Sequence, residues 1–180
     1  MSVTSSSAAG SLKWEPALPS SPLLPAPVQA VVATLPSAQV APIDASLADT
    51  EAFCEAYGSP PTHSANCVVV AGKRGGEVRL AAVVVLATDR ADINGVVRRH
   101  LDVRKISFAP MDEATSLTGM EYGGITPVGL PADWPVLVDS AVLEPDAVVI
   151  GSGIRGSKLL VDPRELAGLP SAQVLDLAQR

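Results

Sequence analysis

Two apolar runs separated by a glycine-containing turn are the feature that most constrains the fold of this chain. The first run reads ANCVVVAG and the second reads VRLAAVVVLATD, and both are rich in the β-branched residues that favour strands. The intervening KRGGE contains two adjacent glycines, so the two runs are predicted to form a long antiparallel hairpin. Because the second run is almost continuously apolar, we expect its strand to be covered on both faces and central in a sheet.

Short amphipathic helices are predicted around this hairpin. One covers LADTEAFCEAYG and stops at Gly58, a second runs through INGVVRRHL, and a third covers MDEATSLTG and stops at Gly119. With 47% hydrophobic residues in 180, the chain can bury one sizeable core. We therefore predict a mixed α/β (α+β) domain with a curved, mixed, largely antiparallel sheet and flanking helices.

The N-terminal segment differs in composition from the rest of the chain. Residues 1–11 lack periodic apolar content and are predicted to be disordered, so their deletion is expected to leave stability almost unchanged. Five prolines between Glu15 and Val28 prevent a helix there. Residues 1–24 are thus predicted to be a disordered or extended lead-in, and residues 25–180 to be the folded domain.

Composition and charge argue against several classes of function. A net charge of −6 disfavours non-specific binding to DNA, although the segment RRHLDVRK is either a local basic face or a solvated helix end. No apolar run reaches the roughly 18 residues that a membrane-spanning helix needs, so a cytoplasmic protein without membrane contacts is expected. The two histidines have no zinc-binding spacing, and Cys54 and Cys67 are expected to be small buried thiols. No metal or other cofactor is therefore predicted.

The segment VVIGSGIRGSKLLVDP contains a literal G-x-G-x-x-G at Gly151, Gly153 and Gly156. In a dinucleotide-binding site this turn opens a helix, whose first N–H groups hold the pyrophosphate. Here SKLLVD runs directly into Pro163, which is too short for a helix and is typical of a strand. An NAD-dependent oxidoreductase is therefore excluded, and a glycine-rich turn between two strands is predicted.

The loop GGITPVG is the sharpest local signal for a functional site. Gly123, Gly124 and Gly129 free the backbone to expose N–H groups, and Pro127 fixes the shape of the loop. Such a loop can hold a carbonyl oxygen or a developing oxyanion, and a plain structural turn is the alternative.

Several of these motifs occur together in one known family. The segment SFAPMDEATSLTGMEYGGITPVGL, the later Asp139 and the GSGIRGS turn together resemble the YbaK family of aminoacyl-tRNA deacylases, which is related to the editing domain of prolyl-tRNA synthetase. The strand pair, a helix, the T-G-x-x-x-G-G-I-x-P-x-G loop and the glycine turn follow in the family's order over roughly residues 47–177. The resemblance implies the YbaK/prolyl-tRNA synthetase-associated domain fold for residues 25–180.

The resemblance also implies an activity, which is hydrolysis of the ester that links a mischarged amino acid to the 3′-terminal ribose of tRNA. In that scheme the terminal ribose hydroxyl helps to activate water, and backbone N–H groups of Gly123, Gly124 and Ile125 hold the carbonyl. Further substrate contacts are expected from Thr118, Thr126, Pro127, Gly129, Asp139, Ser152 and Gly153. The expected partners are the 3′ end of aminoacyl-tRNA and an aminoacyl-tRNA synthetase. Because 180 residues leave no room for a synthetase body, we expect action in trans, in the service of translation fidelity.

Asn66 departs from the family's pattern, since it stands where the family has its characteristic lysine. An amide offers neutral hydrogen bonds, whereas a lysine offers a point charge. One interpretation is a deacylase in which another cation, Lys73 or Arg155, takes over. The other is a non-catalytic binding module that has kept the pocket and lost the lysine.

Overall fold

A computed structural model describes residues 3–179 of the chain. The strands are β1 (Glu15–Pro16), β2 (Gln39–Pro42), β3 (Ala65–Arg74), β4 (Glu77–Leu86), β5 (Arg90–Ala91), β6 (Lys105–Phe108), β7 (Val136–Asp139), β8 (Val148–Gly151), β9 (Ser157–Val161), β10 (Ala172–Leu175) and β11 (Ala178–Gln179). The α-helices are α1 (Ala26–Gln29), α2 (Thr50–Tyr57), α3 (Arg98–His100), α4 (Met111–Thr118) and α5 (Pro163–Ala167). Short 3-10 turns lie at Val3–Ser5, Ser7–Ala9, Val32–Thr34, Ala45–Leu47, Pro61–His63 and Ser140–Leu143, and a π-helical turn covers Ile93–Val97.

The larger sheet has the strand order β10-β7-β4-β3-β6, with β4 in its centre. Strands β3 and β4 pair antiparallel over their whole length, which confirms the predicted hairpin. Strand β7 runs parallel to both β4 and β10, so this sheet is mixed. Residues Val83 and Val85 pack on one face of β4 and Ala82 and Val84 on the other, because successive side chains of a strand alternate. The expectation that β4 is covered on both faces is thereby confirmed.

The second main sheet has the order β1-β2-β9-β8 with antiparallel strand pairs only, and β5 and β11 form a separate two-stranded antiparallel sheet. The glycine turn connects β8 directly to β9, so it closes a hairpin and opens no helix, as predicted. A bridge between Ser64 and Val149 brings the start of β3 beside β8. The two sheets therefore meet at the point where β3 begins.

The helices end where their sequences indicate. Gly58 and Gly119 follow α2 and α4 in the left-handed conformation, with φ of +68° and +69°, which glycine adopts without strain. The segment after Asp92 begins as a π-helical turn, and the Asp92 carboxylate accepts from the N–H groups of Gly95 and Val96. No helix within residues 3–179 has the length and apolar character needed to cross a membrane.

The N-terminal segment is structured where disorder was expected. Val3, Ala8 and Ala9 are buried in an apolar cluster that also contains Phe53 and Leu160. The Ser59 hydroxyl donates to the Ala8 carbonyl at 2.8 Å, and the Ser11 N–H donates to the Tyr57 carbonyl at the end of α2 at 2.8 Å. These contacts rely on small side chains and backbone hydrogen bonds, which leave no apolar periodicity in the sequence.

The described residues do not include both ends of the chain. Met1 and Ser2, which belong to the predicted lead-in, and Arg180, which belongs to the predicted domain, lie outside the described residues. The division of the chain at residue 24 stays a prediction.

Candidate active site

A cavity of about 510 Å³ opens where the two sheets meet. Its walls come from the start of α2, the first half of β3, the end of β6, α4, the end of β8, the start of β9 and the loop around Gly123. Three residues singled out from the sequence, Asn66, Gly123 and Ile125, line this one cavity. The structure therefore brings together the loop motif and the position of the missing family lysine.

Around Cys67, strand β3 has no strand partner among residues 3–179 on the side opposite β4. Strand β6 pairs with β3 only at residues 70–73, so residues 65–69 lie beyond the end of that ladder. The Ser64 carbonyl accepts from Ala87, while the Val69 carbonyl accepts from Ala109 on the other side. Because backbone direction alternates along a strand, the N–H and C=O of Cys67 are on the open edge. The cavity wall thus offers backbone groups of the kind that bind a polar ligand.

The glycine loop and the β8–β9 turn are in close contact. The Gly153 N–H donates to the Gly124 carbonyl at 2.7 Å, and the Glu121 N–H donates to the Gly153 carbonyl at 2.8 Å. A Cβ on Gly124 would lie 2.6 Å from the Ile154 carbonyl carbon, and one on Gly151 would lie 2.7 Å from the Gly124 carbonyl oxygen. These two positions need glycine because two backbones pass each other there. The G-x-G-x-x-G turn therefore supports the loop.

Gly124 differs from its expected role as a free donor. Its N–H donates to the Glu121 carbonyl at 3.0 Å inside the loop. Within residues 3–179, the N–H groups of Gly123 and Ile125 donate to no protein acceptor, and both residues line the cavity. Gly123 has a φ of +86°, which favours glycine. The donors left for a carbonyl oxygen are therefore those of Gly123 and Ile125.

Asn66 is held in the cavity wall by the first residue of α2. The Thr50 hydroxyl donates to the Asn66 side-chain carbonyl, and both residues line the cavity. This bond is between neutral groups, so Asn66 brings no charge to the site.

Lys158 is the cavity residue that the sequence reasoning missed. It is the second residue of β9 and is only 7% exposed, yet it lines the same cavity as Asn66. Its Nζ donates to the Ala48 carbonyl at 2.9 Å and lies 5.3 Å from the centroid of the Phe53 ring. Burial away from water lowers the pKa of Lys158. The sequence signal was a single lysine inside the apolar run SKLLV.

The two cations named as substitutes for the family lysine have different positions. Lys73 lies at the exposed end of β3, in register with Val78, and does not line the cavity. The Arg155 guanidinium lies so close to Gly123 that a Cβ there would overlap it, and it also donates to the Ala45 carbonyl at 3.2 Å. Arg155 is therefore beside the cavity, and Lys158 is inside it.

Side-chain nucleophiles are not favoured in the cavity. Burial raises the pKa of the Cys67 thiol to about 12, so this cysteine is neutral at physiological pH. None of the described cavity-lining residues is a histidine, and no cluster of three metal-ligating side chains occurs in residues 3–179. The cavity offers hydrogen-bond donors and one ammonium group, which suits attack by water on a polarised carbonyl.

Other predicted contact residues shape the loops. The Thr118 hydroxyl donates to the Ala114 carbonyl and accepts from the Met120 N–H, so it closes the end of α4. Thr126 is fully buried in the loop, and Pro127 and Gly129 line a separate cavity of about 190 Å³. Contact of these residues with substrate stays a prediction.

Asp139, Ser152 and Gly153 also lie outside the lining of the larger cavity. The buried Asp139 carboxylate accepts from the N–H groups of Leu177 and Ala178 and so anchors the C-terminal segment. The Ser152 hydroxyl donates inside the β8–β9 turn, and Gly153 adopts a φ of +99° there. Their predicted substrate contacts likewise stay predictions.

Known proteins resemble this chain in sequence and in fold. A crystal structure described as that of a candidate trans-editing enzyme for prolyl tRNA synthetase is 25% identical and superposes with a TM-score of 0.73, and the match covers 86% of this chain and 96% of that one. The crystal structure of a hypothetical protein is also 25% identical, with a TM-score of 0.66, and the match covers 77% of this chain and 86% of that one. The family model of the aminoacyl-tRNA editing domain matches residues 44–169, which is most of the chain and includes every residue discussed for the cavity. The chain therefore belongs to the aminoacyl-tRNA editing domain family.

Proposed function

We propose that this protein is a cytoplasmic, trans-acting deacylase that hydrolyses the ester of mischarged aminoacyl-tRNA. The observation that carries the proposal is one cavity in which two unpaired loop N–H groups, a free strand edge and a buried ammonium meet. That these groups occur in a chain of the editing family supports the same substrate class.

The reaction needs only water as the nucleophile. Water attacks the ester carbonyl carbon, the bond from that carbon to the ribose oxygen breaks, and the ribose oxygen takes a proton. The products are a free amino acid and a tRNA with an intact terminal hydroxyl. The N–H groups of Gly123 and Ile125 hold the carbonyl oxygen as it gains negative charge, and loss of one such donor costs about 2.7–4 kcal/mol in other enzymes.

The volume of the cavity restricts the amino acid that fits, although several residues in its wall are small. The cavity is lined in part by Ala48, Ala65, Cys67 and Gly151. A volume of about 510 Å³ must hold the amino acid together with part of the terminal nucleoside. This favours an amino acid with a small side chain as the substrate.

Two exposed aromatic residues at the cavity suit the nucleotide end of the substrate. Phe108 is 64% exposed and Tyr122 is 55% exposed, and both line the cavity in a chain with only 3% aromatic residues. Aromatic rings stack on unpaired bases and contribute about 1–3 kcal/mol per base. We place the terminal adenine of tRNA against these rings, with Arg155, which lies next to Gly123, to contact phosphate.

The runner-up is a binding module that holds the aminoacyl end and does not hydrolyse it. Both functions predict binding, so hydrolysis decides between them. An association with a synthetase belongs to the same proposal and rests on the family alone.

A panel of mischarged tRNAs tests the proposal. The full chain is incubated with labelled alanyl, seryl, threonyl and cysteinyl esters of non-cognate tRNAs, and release of the amino acid is followed against a reaction without protein. We expect faster release from at least one of them and little release from a bulky ester such as phenylalanyl-tRNA. Binding without release from any of them would favour the binding module.

A further inference from the structure

We propose that Lys158 donates to the ester carbonyl oxygen of the substrate and so supplies, from β9, the charge that Asn66 does not supply from β3. This inference rests on the proposed function, because it assigns a role within the same cavity. It names a catalytic residue at a position that no motif marks.

No salt bridge within residues 3–179 compensates the burial of Lys158, and the Asp49 carboxylate attracts its ammonium only from beyond salt-bridge distance. Lys158 is 7% exposed. A buried charge without an ionic partner opposes folding, and an apolar residue of similar shape would suit this position better. Its neighbours Leu159 and Leu160 are fully buried, so the strand itself has no need of a charge. A site that benefits from the ammonium accounts for its presence.

The ammonium retains capacity to bind a ligand. Of its three N–H groups, one donates to the Ala48 carbonyl, and the Phe53 ring faces the cation at 5.3 Å. Both partners are neutral groups of the protein. An oxygen that enters the cavity can therefore become an additional acceptor, and the low local dielectric strengthens that bond.

The position of the other charges sets the orientation of the substrate. Asp49 lines the cavity at the start of α2, and its side chain makes no capping bond to the helix. A cation such as the substrate's α-ammonium is attracted by Asp49 and repelled by Lys158. The carbonyl oxygen is thus directed to Lys158, and Arg155, which lies next to Gly123, is left to attract the phosphate groups.

Lys158→Met removes the charge and keeps most of the volume, and Lys73→Met is the matched control on the exposed end of β3. The double variant Lys158→Met/Asn66→Lys returns a lysine to the same cavity from β3. Each protein is first checked for folding by circular dichroism and thermal unfolding. Its kcat and KM are then measured on the best mischarged tRNA and on the corresponding aminoacyl-adenosine, which has no phosphate.

We expect Lys158→Met to lower kcat about 10- to 100-fold on both substrates, since a charge-assisted hydrogen bond to the reacting oxygen is lost. Lys73→Met should match the parent, and the double variant should recover at least part of kcat. Unchanged kcat in Lys158→Met would overturn the inference and leave the deacylase proposal standing. A loss confined to the tRNA substrate would overturn it as well, because it would assign Lys158 to a phosphate.

A binding measurement decides the case in which the parent protein hydrolyses nothing and the proposed function fails. The probes are 3′-aminoacylamino-3′-deoxyadenosines with alanyl, seryl, threonyl and cysteinyl groups, whose amide keeps the carbonyl and resists hydrolysis. Weaker binding by Lys158→Met than by Lys73→Met would support the contact between Lys158 and the carbonyl. Equal binding, or no binding by the parent protein, would overturn it.

Discussion

The carbonyl oxygen of Gly124 accepts a 2.7 Å hydrogen bond from the N–H of Gly153. This bond joins the two glycine motifs of the chain, the GGITPVG loop and the turn between β8 and β9. Because Ile125 follows Gly124 directly, the β8–β9 hairpin fixes the position of an N–H group that lines the cavity. The glycine-rich turn therefore acts on the site through the loop, without forming a nucleotide-binding site itself.

Gly124→Ala should disturb this contact. The new methyl group would meet the backbone of Ile154 at 2.6 Å, and such overpacking typically costs about 1–3 kcal/mol. Displacement of the Ile125 N–H from its position in the cavity should lower kcat about 10- to 100-fold. Thermal unfolding and deacylation kinetics measure the two effects.

Gly156→Ala is the matched control for that change. It lies in the same turn, and a Cβ there has no atom within 4 Å. Its free energy of unfolding should stay within about 0.5 kcal/mol of the parent, with unchanged kcat. Equal behaviour of the two variants would show that the loop contact has no part in the reaction.

Phe108→Ala and Tyr122→Ala should weaken the binding of aminoacyl-tRNA and leave kcat nearly unchanged. Loss of base stacking worth about 1–3 kcal/mol corresponds to a rise in KM of about 5- to 150-fold. Val78→Ala, at another exposed apolar residue on the far end of the hairpin, is the control. If KM for both aromatic variants matches that of the control, the terminal base lies elsewhere.

The stability of the protein should depend on the charge of Lys158. Its folded pKa is lowered from the ordinary value of 10.5, so between the two values the unfolded chain binds more protons than the folded one. The free energy of unfolding therefore rises with pH in that window as far as Lys158 contributes to it. Below the folded pKa, the destabilisation caused by the buried charge is fully present. Lys158→Met should accordingly have a higher Tm than the parent at pH 7.

The difference in Tm between the two proteins should shrink at about pH 10, where part of the parent's Lys158 is neutral. Other titrating groups are shared and largely cancel in the comparison. A difference in Tm that is independent of pH would contradict the assignment of this cost to the charge. Lys73→Met, which removes an exposed charge, should show no such pH dependence.

Deletion of residues 1–11 should destabilise the protein, contrary to the expectation from sequence. Val3, Ala8 and Ala9 pack on Phe53, and the Trp14 indole N–H donates to the Ala9 carbonyl at 2.8 Å. A loss of more than about 1 kcal/mol lowers the Tm of a domain of this size by at least about 2–4 °C. Differential scanning calorimetry measures the change.

A pair of point variants refines the test of the N-terminal segment. Ala8→Asp places a charge at a fully buried position, whereas Ser7→Asp places the same charge on an exposed one. Only Ala8→Asp should lower the Tm. If neither variant nor the deletion changes the Tm, the segment does not pack in solution.

The regular elements were predictable from sequence because local signals specify them. The apolar runs around KRGGE define β3 and β4, and Gly58 and Gly119 end α2 and α4 where the chain needs a left-handed residue. The hairpin between β8 and β9 followed from Pro163, which prevents the helix that a dinucleotide site requires. Each of these features is decided within a few residues.

The remaining features depend on contacts between distant segments. Lys158 and Asn66 line the same cavity only because the two sheets meet at the start of β3, and the sequence around either residue gives no sign of this relationship. The hydrogen bond from the Gly124 N–H to the Glu121 carbonyl depends on the conformation of the loop, and a glycine pattern does not determine that conformation. Burial of the N-terminal segment likewise depends on where α2 ends.

Single-turnover hydrolysis tests the central claim most directly. The parent protein, in excess, is mixed with the best mischarged tRNA of the panel, release of labelled amino acid is timed, and the recovered tRNA is charged again. The proposed activity predicts that the parent protein releases the amino acid at least tenfold faster than the spontaneous rate and that the Gly124→Ala variant releases it more slowly than the parent. The recovered tRNA should be fully rechargeable. Release at the spontaneous rate across the whole panel, with folded protein and bound tRNA, would contradict it.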